Sequence, residues 1–266
     1  METRGARIGL LVWTVLVLLF LWIPLVLIGV YAFNSSNIQD WPIPGFSLKW
    51  FGEAWHDDSI RQAFYVSIKA GLGATAIALV LGTALAFALH RFRFFGRDAI
   101  SFLFVLPIAL PGIVTGMSLN RFFSIAGIQP SLWTIVIGHA TFCIVIVFNN
   151  VIARLRRTSP SLLEASMDLG ADGWQTFRYV TWPTIATALV AGGLLAFALS
   201  FDEVIVTYFT AGANNTLPLK IFGYIREGLR LPVVNVVVLV VLALTVIPVT
   251  ISVRLTRDTG ILRGRE

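Results

Sequence analysis

The side chains best able to do covalent or metal chemistry are few in this sequence and poorly spaced for it. Lys49, Lys69 and Lys220 are the only lysines, and none combines a following Ser or Thr with the glycines of a phosphate-binding loop, so nucleotide hydrolysis is not expected of this chain. His56, His90 and His139 lie too far apart for a helix-borne zinc pair. Gly116-Met117-Ser118 lacks the glycine at position 120 that a nucleophile elbow needs. Cys143 is the single cysteine, which excludes an intrachain disulfide or a thiolate metal cluster. No catalytic residue, metal ligand or bound cofactor is assigned. Asp202 and Glu203, by contrast, sit in a run that is apolar on both sides and continues to Tyr208 and Phe209. Carboxylates inside a membrane are costly and generally face a cavity or a counter-ion. Asp202, Glu203 and Tyr208 are therefore candidates for lining a cation pathway, the tyrosine through cation–π contact. Two other readings stand beside this one: an ion pair of Asp202 with Lys69, and Tyr208 as an interface anchor like Trp13, Trp22, Tyr65 and Trp133. Adjacent helical residues diverge by about 100°, so both acids cannot point into one lumen. His139, Asn149 and Asn150 are expected to be satisfied by neighbouring helices.

What must position these residues is a set of membrane spans. Of the 266 residues 57% are hydrophobic and only 13% charged, with a mean hydropathy of +0.83. No soluble domain of this length hides such a surface. Charge-free intervals run Ile8 to Phe33, Ala70 to His90, Ala99 to Asn120, Phe122 to Ala153, Tyr179 to Phe201 and Leu231 to Val253. Each reaches the roughly 20 helical residues that cross the hydrocarbon. The expectation is an all-α, polytopic helical bundle of six transmembrane helices, one membrane domain over 1–266. Gly127, Pro130 and Ser131 mark a loop, which starts the fourth helix near Leu132. The first span far exceeds the apolar core of a secretory signal and reads as retained. Gly112 and Gly116, with Gly71, Gly73, Gly82, Gly192 and Gly193, read as close-packing positions. Pro24, Pro107, Pro111 and Pro248 are possible kinks.

The net charge of +6 comes from basic residues in short blocks beside the spans rather than on one polar face, so nucleic acid is not an expected partner. Arg4 and Arg7, then Arg91, Arg93 and Arg97, then Arg154, Arg156, Arg157 and Arg178, then Arg254, Arg257, Arg263 and Arg265 fall on one side. They hold most of the 20 Lys and Arg residues. The rule that basic loops stay inside then puts both termini in the cytoplasm.

The longest segment on that side, 154–182, has helical punctuation of its own. Ser159-Pro160 is a helix start, and Ser161 with Glu164 fits a capping box. Gly170 suits the left-handed position that ends a helix, and Asp172 with Gln175 caps a second one near Gly173. Leu162, Leu163, Met167 and Leu169 give this elbow an apolar surface. Pro183 stands where the chain re-enters the membrane. A plain interfacial amphipathic helix is the simpler reading.

Glu164-Ala165-Ser166, Gly170, Val180 and Pro183 resemble, in type and spacing, the EAA loop of ABC importer permeases. Ser166 stands where a second alanine is usual, and Trp182 where an aliphatic residue is. The resemblance extends through Tyr31 to Ser36, Gly45 to Trp50, Leu106 to Gly112 and Ser200 to Glu203, which look like the spermidine/putrescine type of permease. It implies a MetI-like ABC permease fold in a bacterial inner membrane and import of a small solute, a polyamine first. It also implies a second permease subunit, an extracytoplasmic binding protein and a cytoplasmic ABC ATPase dimer that uses ATP and Mg. Carried onto this sequence, Glu164, Ala165, Ser166, Leu169, Gly170, Ala171 and Pro183 become the ATPase-coupling residues. The alternatives are an ABC permease for another small solute and, behind it, a secondary transporter or channel.

Overall fold

An apolar chain in lipid has to satisfy its own backbone, and helices do so without a partner. The computed structural model describes residues 4–92, 95–97, 99–100, 102 and 110–258, with side chains as far as residue 244. Those residues form α1 (Arg4–Ala32), α2 (Lys49–His56), α3 (Asp58–Arg91), α4 (Gly112–Ile125), α5 (Leu132–Arg157), α6 (Pro160–Asp168) and α7 (Gly173–Thr176). A π-helical turn (Phe177–Thr181) leads into α8 (Trp182–Asp202), followed by α9 (Ile205–Thr210), α10 (Leu217–Glu227) and α11 (Leu231–Asp258). One isolated antiparallel bridge, Asn34 with Phe46, is the β-structure among the described residues.

Among the described residues four stretches are long and apolar enough to cross a membrane: Arg4–Ala32, Asp58–Arg91, Leu132–Arg157 and Gly173–Asp202. The expected third and sixth spans correspond to α4, described from Gly112, and to α11, whose Leu231–Leu244 portion is apolar. The all-α class is as expected, but the ends are not. α3 begins at Asp58, well ahead of Ala70, and carries Arg61 and Lys69; α4 continues past Arg121 to Ile125. A charge stops a membrane crossing without stopping a helix, because Arg and Lys are good helix formers with stems that reach for water. Pro111 is no internal kink. It is the extended residue before α4, with φ −57° and ψ 133°, and Pro24 lies within an unbroken α1. Pro107, with the rest of Leu106 to Ala109, lies outside the described residues. So do Arg93, Arg263, Arg265 and the side chains of Pro248, Arg254 and Arg257.

The chain divides into two compact units, Met1–Asp58 with Gly223–Glu266, and Ser59–Phe222. In the first, α11 packs along α1 and against α2. The loop after α1 folds around buried Asn34, whose carbonyl accepts from Trp50 Nε1 at 2.6 Å and whose amide donates to the Ile38 carbonyl at 3.0 Å. Ser35 N–H donates to Gly45 and Ser47 N–H to Phe33, so the Tyr31–Ser36 and Gly45–Trp50 segments are joined. Arg230 pairs with Asp57 and lies 4.0 Å from Glu53. Its partial burial works against the charge, but the hydrogen bond and charge of Asp57 raise the guanidinium above its ordinary value.

The second unit is built on α5. Ile135, His139, Cys143, Val147 and Val151 are fully buried. Small residues recur every fourth position on the facing side of α3, at Ala70, Ala74, Ala78, Gly82 and Ala86, all buried. A Cβ at Gly82 would lie 2.8 Å from the Ile144 carbonyl oxygen, so glycine sets how near the two backbones run. From α8, Ile185 and Ala196 complete the same apolar cluster.

Candidate functional site: an elbow and a pinned helix break

α6 starts at Pro160, with extended Ser159 before it. The expected Ser161–Glu164 capping box is absent. Pro160 takes the first helical position, where its missing N–H costs nothing, so Ser161 already lies inside the helix and its hydroxyl meets that of Ser159 at 2.6 Å. The other end follows the sequence. Gly170 has φ +80°; Gly170 N–H donates to Met167 and Ala171 N–H to Ser166, the paired bonds of a Schellman turn. Asp172 Oδ1 accepts from Gln175 N–H at 2.8 Å while Gln175 Oε1 accepts from Asp172 N–H at 2.9 Å, a complete capping box for α7. Ser166, where the motif ordinarily has alanine, is buried, with its hydroxyl 2.9 Å from that of Thr176, and so clamps α6 to α7.

Glu164, Ala165 and Gly170 are exposed on this elbow, and Ala171 is half-buried. Leu169 is 89% exposed at the tip, beside exposed Leu162, Met167 and Trp174. An apolar tip this open, on a turn fixed at both sides, is a surface shaped for a partner. Pro183 lies in the first turn of α8, exposed. It has no N–H to offer Tyr179 and its ring crowds that carbonyl, a strain that the widened π turn just before it relieves. Trp174 stacks on Phe177 with centroids 5.8 Å apart, bracing the turn.

At its other end α8 stops at Asp202. Glu203 is extended, with ψ 116°, and α9 resumes at Ile205. The expectation that both acids lie within one continuous helix is thus corrected: the β-branched run Val204-Ile205-Val206 follows a break. Glu203 Oε1 accepts from Val206 N–H at 2.9 Å, satisfying an orphan amide of α9. Asp202 and Tyr208 are exposed on the chain, and Glu203 is half-buried. Among the described residues Asp202 makes no ion pair with Lys69, which is itself exposed.

Long-range bonds hold α9 in place. His139 is 0% exposed, with Nδ1 2.7 Å from Ser200 Oγ on α8 and Nε2 2.8 Å from Thr207 Oγ1 on α9. Thr207 gives its own hydroxyl hydrogen to the Glu203 carbonyl at 2.7 Å, so Nε2 must be the ring donor and Nδ1 accepts from Ser200. Thr134 on α5 donates to the Thr210 carbonyl at 2.8 Å, and Asn120 on α4 to the Phe209 carbonyl at 2.6 Å. A Cβ at Gly116 would lie 2.7 Å from the Phe209 ring, so glycine also brings α4 close to α9. His139 is satisfied by neighbouring helices, as its sequence context suggested. The break itself was not anticipated, and its one sequence signal is an acid three residues ahead of a β-branched amide in an otherwise apolar run.

The described helices, with an elbow between two spans, have the fold of the membrane subunit of an ABC transporter. The chain superposes on a chain of the crystal structure of a bacterial ABC transporter involved in the import of the acidic polysaccharide alginate, with a TM-score of 0.67, 18% identity and coverage of 97% of this chain and 98% of that one. Residues 74–258 match the binding-protein-dependent transport system inner membrane component family, and the chain belongs to that family. It is 34% identical over 241 residues to the spermidine/putrescine transport system permease protein PotC of Escherichia coli K12, covering 90% of each. To the putrescine transport system permease protein PotI of the same strain it is 35% identical over 244 residues, covering 86% of this chain and 85% of the relative.

Proposed function

We propose that this inner-membrane component imports a polyamine, with energy from ATP and Mg used by a partner ATPase dimer rather than by this chain. The observation that carries the reading is the elbow: a fixed turn at Gly170 presenting Leu169, Met167 and Leu162 to solvent. Glu164, Ala165, Leu169, Gly170 and Ala171 meet the ATPase, while buried Ser166 serves the coupling by holding α6 to α7. From there Gly173–Asp202 runs as one helical stretch, with Pro183 just after its π turn, and passes the motion of the ATPase into the bundle. Both termini and the elbow lie in the cytoplasm, a second permease subunit completes the pathway and an extracytoplasmic binding protein delivers the cargo. The likeness to permeases named for spermidine and putrescine supports a polyamine.

Asp202, at the open end of α8, offers negative charge to the moving cation; Tyr208 lies beyond the break. Glu203 ranks below Asp202, since one of its carboxylate oxygens is engaged by Val206 N–H. The deciding experiment is ATP-dependent uptake by the reconstituted assembly against a panel of polyamines, amino acids and metal ions. Polyamine uptake that falls at least tenfold in Asp202→Asn, with insertion and ATPase binding intact, is the expected result; one lost full contact between charges in a partly desolvated site is worth about that much. Undiminished polyamine uptake by a well-folded Asp202→Asn protein removes Asp202 from the pathway. Loss of stability restored by neutralising Lys69 as well assigns Asp202 to a structural pair.

A further inference from the structure

Where the apolar part of α5 gives way to its basic end, α5 and α8 enclose a groove of about 480 Å³ lined by Asn149, Asn150, Ala153, Arg154, Arg157, Thr187 and Ala188. The α5 residues fall at the four-residue spacing that puts side chains on one helix face, and no carboxylate is among the lining residues. Arg154 Nε donates to the Thr184 carbonyl at 2.8 Å. That bond ties the two walls together and leaves the other guanidinium donors without a hydrogen-bond partner among the described residues. Arg157 has no ion-pair partner among the described residues. Nor are these arginines needed to cap α5, because Thr158 already bonds the carbonyls of Arg154 and Leu155. Asn149 and Thr187 add neutral donors, as does the second N–H of the Asn150 amide, whose Nδ2 also donates to the Ile146 carbonyl at 2.9 Å. A cationic cargo is repelled here, and an anion with several oxygens is matched.

The surroundings narrow the anion further. From Thr187 the same face of α8 continues through Val190 and Leu194, which are 63% and 61% exposed, an apolar track leading away from the arginines along the span. Phosphate chemistry at the basic end and hydrocarbon chemistry along α8 are the two halves of one amphiphile. We propose that this groove binds the phosphate headgroup of an anionic phospholipid, with Arg154 and Arg157 as its ligands and an acyl chain laid along Val190 and Leu194.

The test uses the full chain, purified from membranes with any subunits that stay bound and exposed to phosphatidylglycerol or phosphatidylcholine before native mass spectrometry. Wild type should retain phosphatidylglycerol in preference to phosphatidylcholine. An Arg154→Gln/Arg157→Gln double variant should bind it about 25-fold more weakly, at about fivefold per arginine near an anionic headgroup. Because Arg154 also braces α8, Thr187→Leu supplies a second probe that fills the groove and spares both arginines; it should lose the lipid too. Arg156→Gln, on the same turn but outside the groove, should bind as wild type does. Equal retention of both lipids, or undiminished phosphatidylglycerol on the double variant and on Thr187→Leu, overturns the proposal. Displacement of phosphatidylglycerol by millimolar inorganic phosphate overturns the lipid assignment in favour of a free anion. Efficient disulfide cross-linking of Asn149→Cys to an accompanying subunit shows a protein surface there instead.

Discussion

The two ends of α8 are built in opposite ways. Within the elbow the fixing bonds are local: Asp172 with Gln175, Gly170 with Met167, and Ser166 with Thr176 only ten residues on; the tie from Arg154 to Thr184, where α8 begins, spans 30. At the break the fixing bonds come from far away, spanning 61 and 68 residues for His139, 76 for Thr134 and 89 for Asn120. The elbow leaves apolar surface open, while the break buries and pairs His139, Ser200 and Thr207 and leaves Asp202 exposed. A locally built element keeps its shape while it moves as a body against a partner. One pinned from several helices keeps its place only while those helices keep theirs. The first suits a part that is pushed, the second a part whose position reports on the packing of the bundle around it.

The largest effect that separates the two ends is expected from Gly170→Val. A β-branched residue at φ +80° is strained wherever it sits, so the elbow should lose its turn and ATP-dependent uptake should fall more than tenfold. The thermal midpoint of the detergent-purified chain should barely move. A midpoint that collapses would mean that the elbow is part of the bundle's own stability. His139→Ala should do the reverse. It strips two buried bonds and leaves Ser200 and Thr207 facing a void, costing about 2 kcal/mol of bundle stability. Denaturant titration reads that loss, and ATPase co-purification should stay at the wild-type level. His139→Gln should recover part of it.

Smaller still is Asp172→Ala, which removes a cap worth about 1 kcal/mol and should act only on its own helix. Hydrogen exchange should quicken at the amides of 173–178 and remain unchanged in α5. At the bottom of the scale lies Glu203→Gln. An amide oxygen can still accept from Val206 N–H, so stability should shift by no more than about 0.5 kcal/mol and uptake should hold. A tenfold fall in uptake would make the Glu203 charge, and not its cap, the property that matters.

The same contrast governs what could be read from the residues in order. The turn at Gly170, the Asp172–Gln175 box and the start of α5 at Leu132 all depend on side chains within a few positions of one another, and each stands where the sequence put it. Ser161–Glu164 failed locally too, because two start signals overlapped and Pro160 took precedence. Helix ends at charges were misjudged because hydropathy reports on lipid and not on hydrogen bonding; α3 keeps its helix through Lys69 and Arg61. The break after Asp202 was out of reach for another reason. The bonds that hold α9 after it come from His139, Thr134 and Asn120, far away in sequence, and the local signal, Glu203 three residues ahead of Val206, is too slight to show the break alone.

The π turn at Phe177–Thr181 has a consequence for how such chains can vary. A π turn is what an α-helix becomes when it accepts one surplus residue without breaking. Deleting one residue from 177–181 would let the segment close as ordinary helix with its flanks nearly in phase, so the elbow would keep its direction, whereas the same deletion in the regular part of α8 would swing the elbow about 100° around its axis. Two descendants differing by one codon in the π turn would keep the same spans, the same loop motif and much the same direction for Leu169. Compatibility with the proposed ATPase is therefore a matter of angular phase, and the π turn is the place upstream of Pro183 where one residue can be gained or lost without disturbing it.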